Sequence, residues 1–244
     1  MKRLITYCSL IIVCFGCSRK DLTLQGNSDY KTLGTAARAI LSSENYTSLK
    51  IEIHYMPGYE PDAAVVANFT NFFNAFCNKP GGITVTQQQI PASGKATLTI
   101  DEIVKIEKAN RTIFTKDNQV AIHVLIVDAN YTTPNIVGLA YWNTSLCLFG
   151  KLLYANSGGI GQVSRIKLES TILDHETGHI LGLVDQGSPM QTPHRDAANG
   201  MHCNNNSCLM YYAIETVDPG GIFNVNVPLP DQNCRDDLKA NGGK

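Results

Sequence analysis

The sequence predicts an α+β protein whose mainly buried sheet is backed by helices. From residue 49 onward, segments with the two-residue period of a strand alternate with segments that have the period of an amphipathic helix. One strand segment, residues 120–127, is a nearly continuous run of apolar and β-branched side chains, which is typical of a central buried strand. A long helical pattern over 167–181 follows the last strand segments. Helices packed on such a sheet complete a layered domain.

Each element has its own signal. Residues 49–56 alternate like a half-buried strand, and residues 61–77 place phenylalanines at helical spacing after Pro61, which suits a first turn. The other predicted strands are 82–86, 120–127, 137–141 and 145–149, and the other predicted helices are 35–41, 99–113, 167–181 and 234–240. A glycine-rich turn at 157–161 precedes the long helix, and most of the chain after that helix is predicted loop.

The composition describes an ordinary globular domain. The 244 residues are 43% hydrophobic and 17% charged, with a formal net charge of −1. Charges of one sign form no long run, so the chain lacks the basic stripe of a nucleic-acid-binding protein and the polybasic patch of a lipid-binding surface. We therefore expect no nucleic-acid partner.

Residues 1–16 have the layout of a signal peptide. A short basic start is followed by an apolar stretch that is too short for a spanning helix, which needs about 20 residues. The stretch ends at Gly16-Cys17, which resembles the cleavage site of bacterial lipoproteins and predicts a lipid on Cys17; a plain secretory signal is the alternative. We expect an exported, lipid-anchored protein of the periplasm or cell surface, with the outer membrane as its anchor. Residues 17–48 are then a tether and short extension, and 49–244 form the main domain.

Five cysteines remain in the mature chain: Cys77, Cys147, Cys203, Cys208 and Cys234. Export permits disulfides. An odd number leaves at least one thiol unpaired or bound to something else. The sequence does not reveal the connectivity.

The 167–181 helix carries the chemistry. His175 and His179 lie one turn apart on one helical face, so both imidazoles can reach one Zn²⁺. Glu176 flanks that face and can accept a proton from a metal-bound water as the water attacks a carbonyl. Gly182 follows where a helix can end in the left-handed conformation and let the chain bring a third ligand back.

These residues resemble the extended motif of the metzincins, H-E-x-x-H-x-x-G-x-x-H/D. The chain reads His175-Glu-Thr-Gly-His179-Ile-Leu-Gly182-Leu-Val-Asp185, and downstream Cys208-Leu-Met210 looks like the Met-turn of that clan. The resemblance implies a zinc-dependent endopeptidase over residues 49–244. It implies a mixed twisted sheet with backing helices, an active-site helix, and Met210 beneath the metal.

The third zinc ligand has two candidates. Asp185 occupies the usual register and is an acceptable zinc ligand, as in the snapalysin-like branch. His202 is followed by Cys-x4-Cys-x-Met, which is similar to archaemetzincins, although seventeen residues, 185–201, then stand before it. We favour His202. His194 is a more distant candidate.

Two further roles come from the same resemblance. Cys203 and Cys208 either hold a structural metal, as in archaemetzincins, or form a disulfide, which we favour for an exported chain. Tyr212 stands two residues after Met210, where some metzincins have a tyrosine that reaches the metal or the developing oxyanion; packing under the site is the alternative. His54 and His123 alternate within strands and are interpreted as structural.

The leading functional hypothesis is peptide-bond hydrolysis of a protein or peptide substrate. By the same resemblance, residues 137–141 fall where metzincins have the edge strand that pairs with an extended substrate. The alternative is a non-catalytic, zinc-containing binding lipoprotein on the same scaffold. Glu176 argues for the enzyme, because a structural zinc site has no use for a carboxylate beside the metal-bound water.

Overall fold

The computed structural model describes residues 28–215 and 227–244. The predicted signal peptide and the predicted lipid-bearing Cys17 lie outside the described residues. Within the described ranges, the structure contains no helix that is both long enough and apolar enough to cross a membrane.

A five-stranded sheet forms the centre of the domain, in the order β2-β1-β4-β7-β6. Its strands are β1 (Ser48–Tyr55), β2 (Ile83–Gln89), β4 (Gln119–Val127), β6 (Gly138–Trp142) and β7 (Ser145–Phe149). The first four strands in this order are parallel, and β6 pairs antiparallel with β7 at one edge. A small second sheet joins β3 (Thr97–Leu98) to β5 (Asn130–Tyr131).

Helices cover both faces of the main sheet. They are α1 (Ala37–Leu41), α2 (Ala63–Phe76), α3 (Ile100–Asn110), α4 (Gly150–Ala155), α5 (Arg165–Ile180) and α6 (Gln232–Ala240), with a short 3₁₀ helix at Tyr212–Glu215. Local capping fixes where several of them begin. The Asp62 carboxylate caps α2, and a capping box between Thr99 and Glu102 starts α3.

Successive residues of the central strands point alternately into two hydrophobic cores, one on each face of the sheet. Ile51 and Ile53 of β1 and Val124 of β4 pack in the core that also receives α2 and α5. Leu125 and Val127 face the smaller core on the α3 side. Each fully buried aliphatic side chain of this kind stabilises the fold by about 1.5–3 kcal/mol. The two-sided burial explains why β4 is apolar along its whole length.

The predicted helices and strands are all present, with ends shifted by a few residues. The sequence did not predict α4 or the two-residue strands β3 and β5. The α+β description needs a correction, because four of the five main strands run parallel. Helices α2 and α3 lie in the connections from β1 to β2 and from β2 to β4, whereas β4 reaches β7 through β5 and β6. The fold is therefore a mixed α/β arrangement with a mostly parallel sheet and backing helices.

Candidate metal centre

The helix α5 presents the two histidines of the motif from inside the domain. Ser164 caps its first turn by accepting a hydrogen bond from the Lys167 amide, and every residue from Leu168 to Ile180 is buried. The chain then turns at Gly182, whose φ of +75° lies in the left-handed region. A Cβ at Gly182 would lie 2.6 Å from the Ser188 amide nitrogen, so the turn is too close for a side chain.

His202 joins His175 and His179 in one buried group. The ring centroids are 5.0 Å apart for His175 and His179, 5.4 Å for His175 and His202, and 5.0 Å for His179 and His202. One ligand-type nitrogen from each ring lies within 4.8 Å of the others. Three convergent imidazoles are a common ligand set of catalytic zinc sites.

Backbone carbonyls orient two of these rings. The His175 Nδ1 donates to the Leu209 carbonyl at 2.6 Å, and the His202 Nδ1 donates to the Asn199 carbonyl at 2.6 Å. In the neutral ring this places the lone pair on Nε2, as in zinc sites whose histidines donate their other N–H to the protein. The residues therefore fit a zinc ion.

A hairpin carries His202 to the group. The Asp196 amide donates to the His202 carbonyl at 2.8 Å, and the Cys203 amide donates to the Met210 carbonyl at 2.7 Å. Asp185, in contrast, is exposed, has a φ of +64° and lies outside this group. The structure thus brings together His175, His179 and His202, and it places Asp185 elsewhere.

Glu176 lies between α5 and the edge strand. It is buried, and its Oε2 accepts a hydrogen bond from the Ala140 amide at 2.8 Å. The strand approaches the helix so closely that a Cβ at Gly138 would lie 2.4 Å from Ile172 Cγ2 and 2.7 Å from Glu176 Oε1. The glycine in β6 therefore allows the carboxylate, the helix and the edge strand to meet.

Met210 and Tyr212 follow on the segment after the hairpin. Met210 is fully buried, and its sulfur lies 2.2 Å from the position that a Cβ on Gly178 would occupy. The thioether therefore packs against α5 between the two histidines of the motif. Tyr212 begins the 3₁₀ helix, is 37% exposed, and has its ring centroid 4.7 Å from that of Tyr211.

A second group of ligand-type side chains contains His194, Cys203, Asp231 and Cys234, with one ligand-type atom of each within 4.8 Å of the others, and Cys208 adjoins it. The described part of the chain contains no disulfide, so the favoured Cys203–Cys208 bond is wrong. The Cys208 and Cys234 sulfurs are 3.6 Å apart, and His194 Nδ1 lies 3.3 Å from Cys203 Sγ and 3.9 Å from Cys234 Sγ. A disulfide would require about 2.05 Å, whereas two ligands of a tetrahedral zinc lie about 3.3–3.8 Å apart.

Hydrogen bonds from neighbouring groups favour the binding of a cation by this group. His194 Nε2 donates to the Asp237 carboxylate at 2.8 Å, which directs its Nδ1 lone pair toward the sulfurs. Hydrogen bonds from the thiols of Cys203 and Cys234 lower the pKa of Cys208 to about 4. The amides of Met210 and Asp231 also donate to the Cys208 sulfur, at 3.4 and 3.3 Å.

Several of these partners cannot be recognised in the sequence. The carbonyls of Leu209 and Asn199 leave no sequence signal, because any residue type supplies a carbonyl. Asp237 lies on α6 and is brought to His194 only by the tertiary fold. His194 was a candidate for the first metal group, and the structure places it in the second.

Comparisons with known proteins support the fold. No family model matches the sequence, and no curated protein matches it. Among solved structures, the chain is similar to archaemetzincin from Methanopyrus kandleri, with a TM-score of 0.53 and 12% sequence identity. The match covers 80% of this chain and 96% of that one. At this identity the likeness concerns the fold, which is archaemetzincin-like.

Proposed function

We propose that the protein is a zinc-dependent endopeptidase. The observation that carries this proposal is the buried group of His175, His179 and His202 with Glu176 on the same helix. The resemblance of the motif to metzincins and the archaemetzincin-like fold support it. A zinc ion held by the three histidines supplies Lewis acidity and makes a bound water more acidic.

The side chains around this group supply the remaining steps. Glu176 accepts a proton from the attacking water and gives it to the leaving amine. Its hydrogen bond with the Ala140 amide holds the carboxylate toward the edge strand. Tyr212 donates its O–H to the oxyanion that develops on the peptide carbonyl. Met210 packs against Gly178 between the two histidines of α5, and as a Met-turn methionine it would lie beneath a zinc ion held there.

The substrate is an extended segment of a protein or peptide. Strand β6 is the outermost strand of the main sheet on the side of α5. An extended peptide can add to such an edge through backbone hydrogen bonds, with side-chain pockets providing the selectivity. A peptide bound in this way would have its scissile bond beside Glu176, which already contacts β6 through the Ala140 amide.

The second group holds a structural metal in this proposal. The proposed ligands are the buried side chains of His194, Cys203, Cys208 and Cys234. The Asp231 carboxylate also lies in this group and accepts a hydrogen bond from the Cys203 thiol. Asp237 orients the histidine from outside. Four protein ligands close a site to substrate, so this metal would stabilise the fold and take no part in hydrolysis.

The test compares the mature wild-type chain with Glu176→Ala, and with Glu60→Ala as a control for loss of an exposed carboxylate. Zinc content and cleavage of a mixed peptide library are measured for each. We expect all three chains to hold zinc at the histidine group, and only the Glu176→Ala chain to lose cleavage. Zinc binding with no cleavage by the wild type would favour the non-catalytic binding lipoprotein. A wild type that binds no zinc at His175, His179 and His202 would refute both functions.

We also propose that a lipid on Cys17 anchors the protein to a membrane of the bacterial envelope. The support is the apolar stretch that ends at Gly16-Cys17. Expression in a bacterium with a labelled fatty acid should label the wild type and the Cys8→Ser control. The Cys17→Ser variant should remain unlabelled. Equal labelling of Cys17→Ser and wild type would refute the anchor.

A further inference from the structure

A third group of buried ligand-type side chains lies on the other face of the sheet from α5. Glu52 and His54 on β1 and His123 on β4 alternate with Ile51, Ile53 and their neighbours, which face α5. They are 4%, 1% and 0% exposed. One ligand-type atom from each lies within 4.8 Å of the others. His54 Nδ1 is 2.9 Å from His123 Nε2.

Charges around this group are not balanced. The guanidinium of Arg111 lies 2.8 Å from the Glu107 carboxylate and 3.4 Å from that of Asp29, so these two acids share one cation. Glu52 is ion-paired with no Lys or Arg in the described ranges, and its nearest titratable base is His54 Nε2, at 3.8 Å. Three enclosed carboxylates with one guanidinium leave an excess of negative charge. A buried carboxylate that stays ionised is stabilised by a compensating cation.

The Glu52 carboxylate is held in one orientation. It accepts hydrogen bonds from the Thr112 amide at 3.0 Å, the Thr112 hydroxyl at 2.5 Å and the Ile113 amide at 3.2 Å. These donors follow α3 and fix the carboxylate beside the two rings. A carboxylate oriented in this way is typical of a preorganised metal ligand.

The two imidazoles do not by themselves compensate the negative charge of Glu52. His123 Nδ1 has no hydrogen-bond partner in the described part of the chain and lies 3.7 Å from Glu107 Oε1. A proton on that nitrogen leaves the Nε2 lone pair facing His54 Nδ1. If His54 Nδ1 carries the proton of that contact, a neutral His54 ring has its lone pair on Nε2, the nitrogen that faces the Glu52 carboxylate. Only a doubly protonated ring would bring a positive charge to Glu52.

We infer that Glu52, His54 and His123 form a metal site, distinct from the other two, that takes zinc or a similar first-row dication. Two imidazole nitrogens and one carboxylate oxygen suit such an ion. The ion replaces the contact between the two ring nitrogens and compensates Glu52. Glu107 becomes the carboxylate partner of His123. Because the group is enclosed, the ion enters during folding and ties β1 to β4.

Crystals of the full chain, refolded with zinc, provide the direct test. Anomalous difference maps from data above and below the zinc absorption edge should show a peak among Glu52, His54 and His123. A map with peaks at the other two groups and none here would overturn the site. The inference does not rest on the proposed peptidase activity, since a peak here with none at His175 would support this site and count against that activity.

A variant gives the second test. Glu52→Gln keeps the shape of the side chain, and Glu60→Gln removes an exposed carboxylate as a matched control. After refolding with zinc and removal of loose metal, Glu52→Gln should hold about one zinc fewer per chain than wild type. Glu60→Gln should match the wild type. Circular dichroism identifies the folded chains to be compared, and equal zinc content in folded Glu52→Gln and wild type would refute the site.

Discussion

Gly178→Ala tests whether Met210 packs against α5 between the two histidines. A Cβ at position 178 would lie 2.2 Å from the Met210 sulfur, whereas ordinary contacts begin at 3.4 Å. Met210 is fully buried. The sulfur must therefore move by more than about 1 Å within a densely packed interior.

Two opposing effects set the magnitude. Alanine in a helix interior is about 0.5–1 kcal/mol more favourable than glycine, and overpacking of a core costs about 1–3 kcal/mol. We expect Gly178→Ala to lower the free energy of unfolding by about 1–2 kcal/mol in the native background. In a Met210→Ala background the sulfur is absent, so the same substitution should raise this free energy by about 0.5–1 kcal/mol.

Urea unfolding of the wild type, both single variants and the double variant gives the four values of a double-mutant cycle. The free zinc concentration is held constant, because metal binding shifts apparent stability. The reversal of sign is the decisive result. An equal effect of Gly178→Ala on the free energy of unfolding in both backgrounds would refute the packing of Met210 against α5 at Gly178.

Three other experiments test separate parts of the structure. His202→Ala should lose zinc from the histidine group while Asp185→Ala keeps it, as measured by metal content; the opposite result would make Asp185 the third ligand. Burial raises the pKa of Glu169 to about 8. The folded chain therefore keeps a proton that the unfolded chain has lost, and its free energy of unfolding should fall by about 1.4 kcal/mol per pH unit from about pH 5 to about pH 8. Glu169→Gln should remove this contribution from the slope measured in urea titrations, whereas the contribution of the buried Asp174, whose pKa burial also raises, stays; an unchanged slope would contradict the assignment. Cys208→Ser should release the metal of the cysteine group and lower the free energy of unfolding by roughly 3 kcal/mol or more, because the binding energy of a structural zinc is largely folding energy; equal metal content and thermal stability would count against that site.

The sequence predicts well the segments whose period is strong. The phenylalanines of α2 are buried at the predicted spacing, and eight of the nine residues of β4 are buried. The direction and order of the strands cannot be predicted in this way, because they depend on connections between distant segments and leave no local pattern. The missed helix α4 has only six residues and no side-chain cap. It is stabilised by its tertiary packing, which a short window of sequence does not contain.

The histidine group could be predicted only in part. His175 and His179 are one helical turn apart, so their convergence follows from local geometry. The third ligand depends on how the seventeen residues 185–201 fold, and the deciding contact is the backbone bond between Asp196 and His202. The expected compartment alone suggested the Cys203–Cys208 disulfide. The structure instead puts His194, from residues 185–201, next to Cys203, and the sequence does not predict how those residues fold.

One hairpin serves both metal groups. His202 and Cys203 are neighbours in an extended segment, where successive side chains point in opposite directions, so one faces the histidine group and the other the cysteine group. His194 on the opposite strand of this hairpin joins the cysteine group as well. A metal at the cysteine group would therefore fix the hairpin that positions His202. Cys208→Ser should then weaken zinc binding at the histidine group, although Cys208 is not a member of it. Undiminished zinc affinity at the histidine group in Cys208→Ser would mean that the backbone hydrogen bonds of the hairpin hold His202 without help from the second metal.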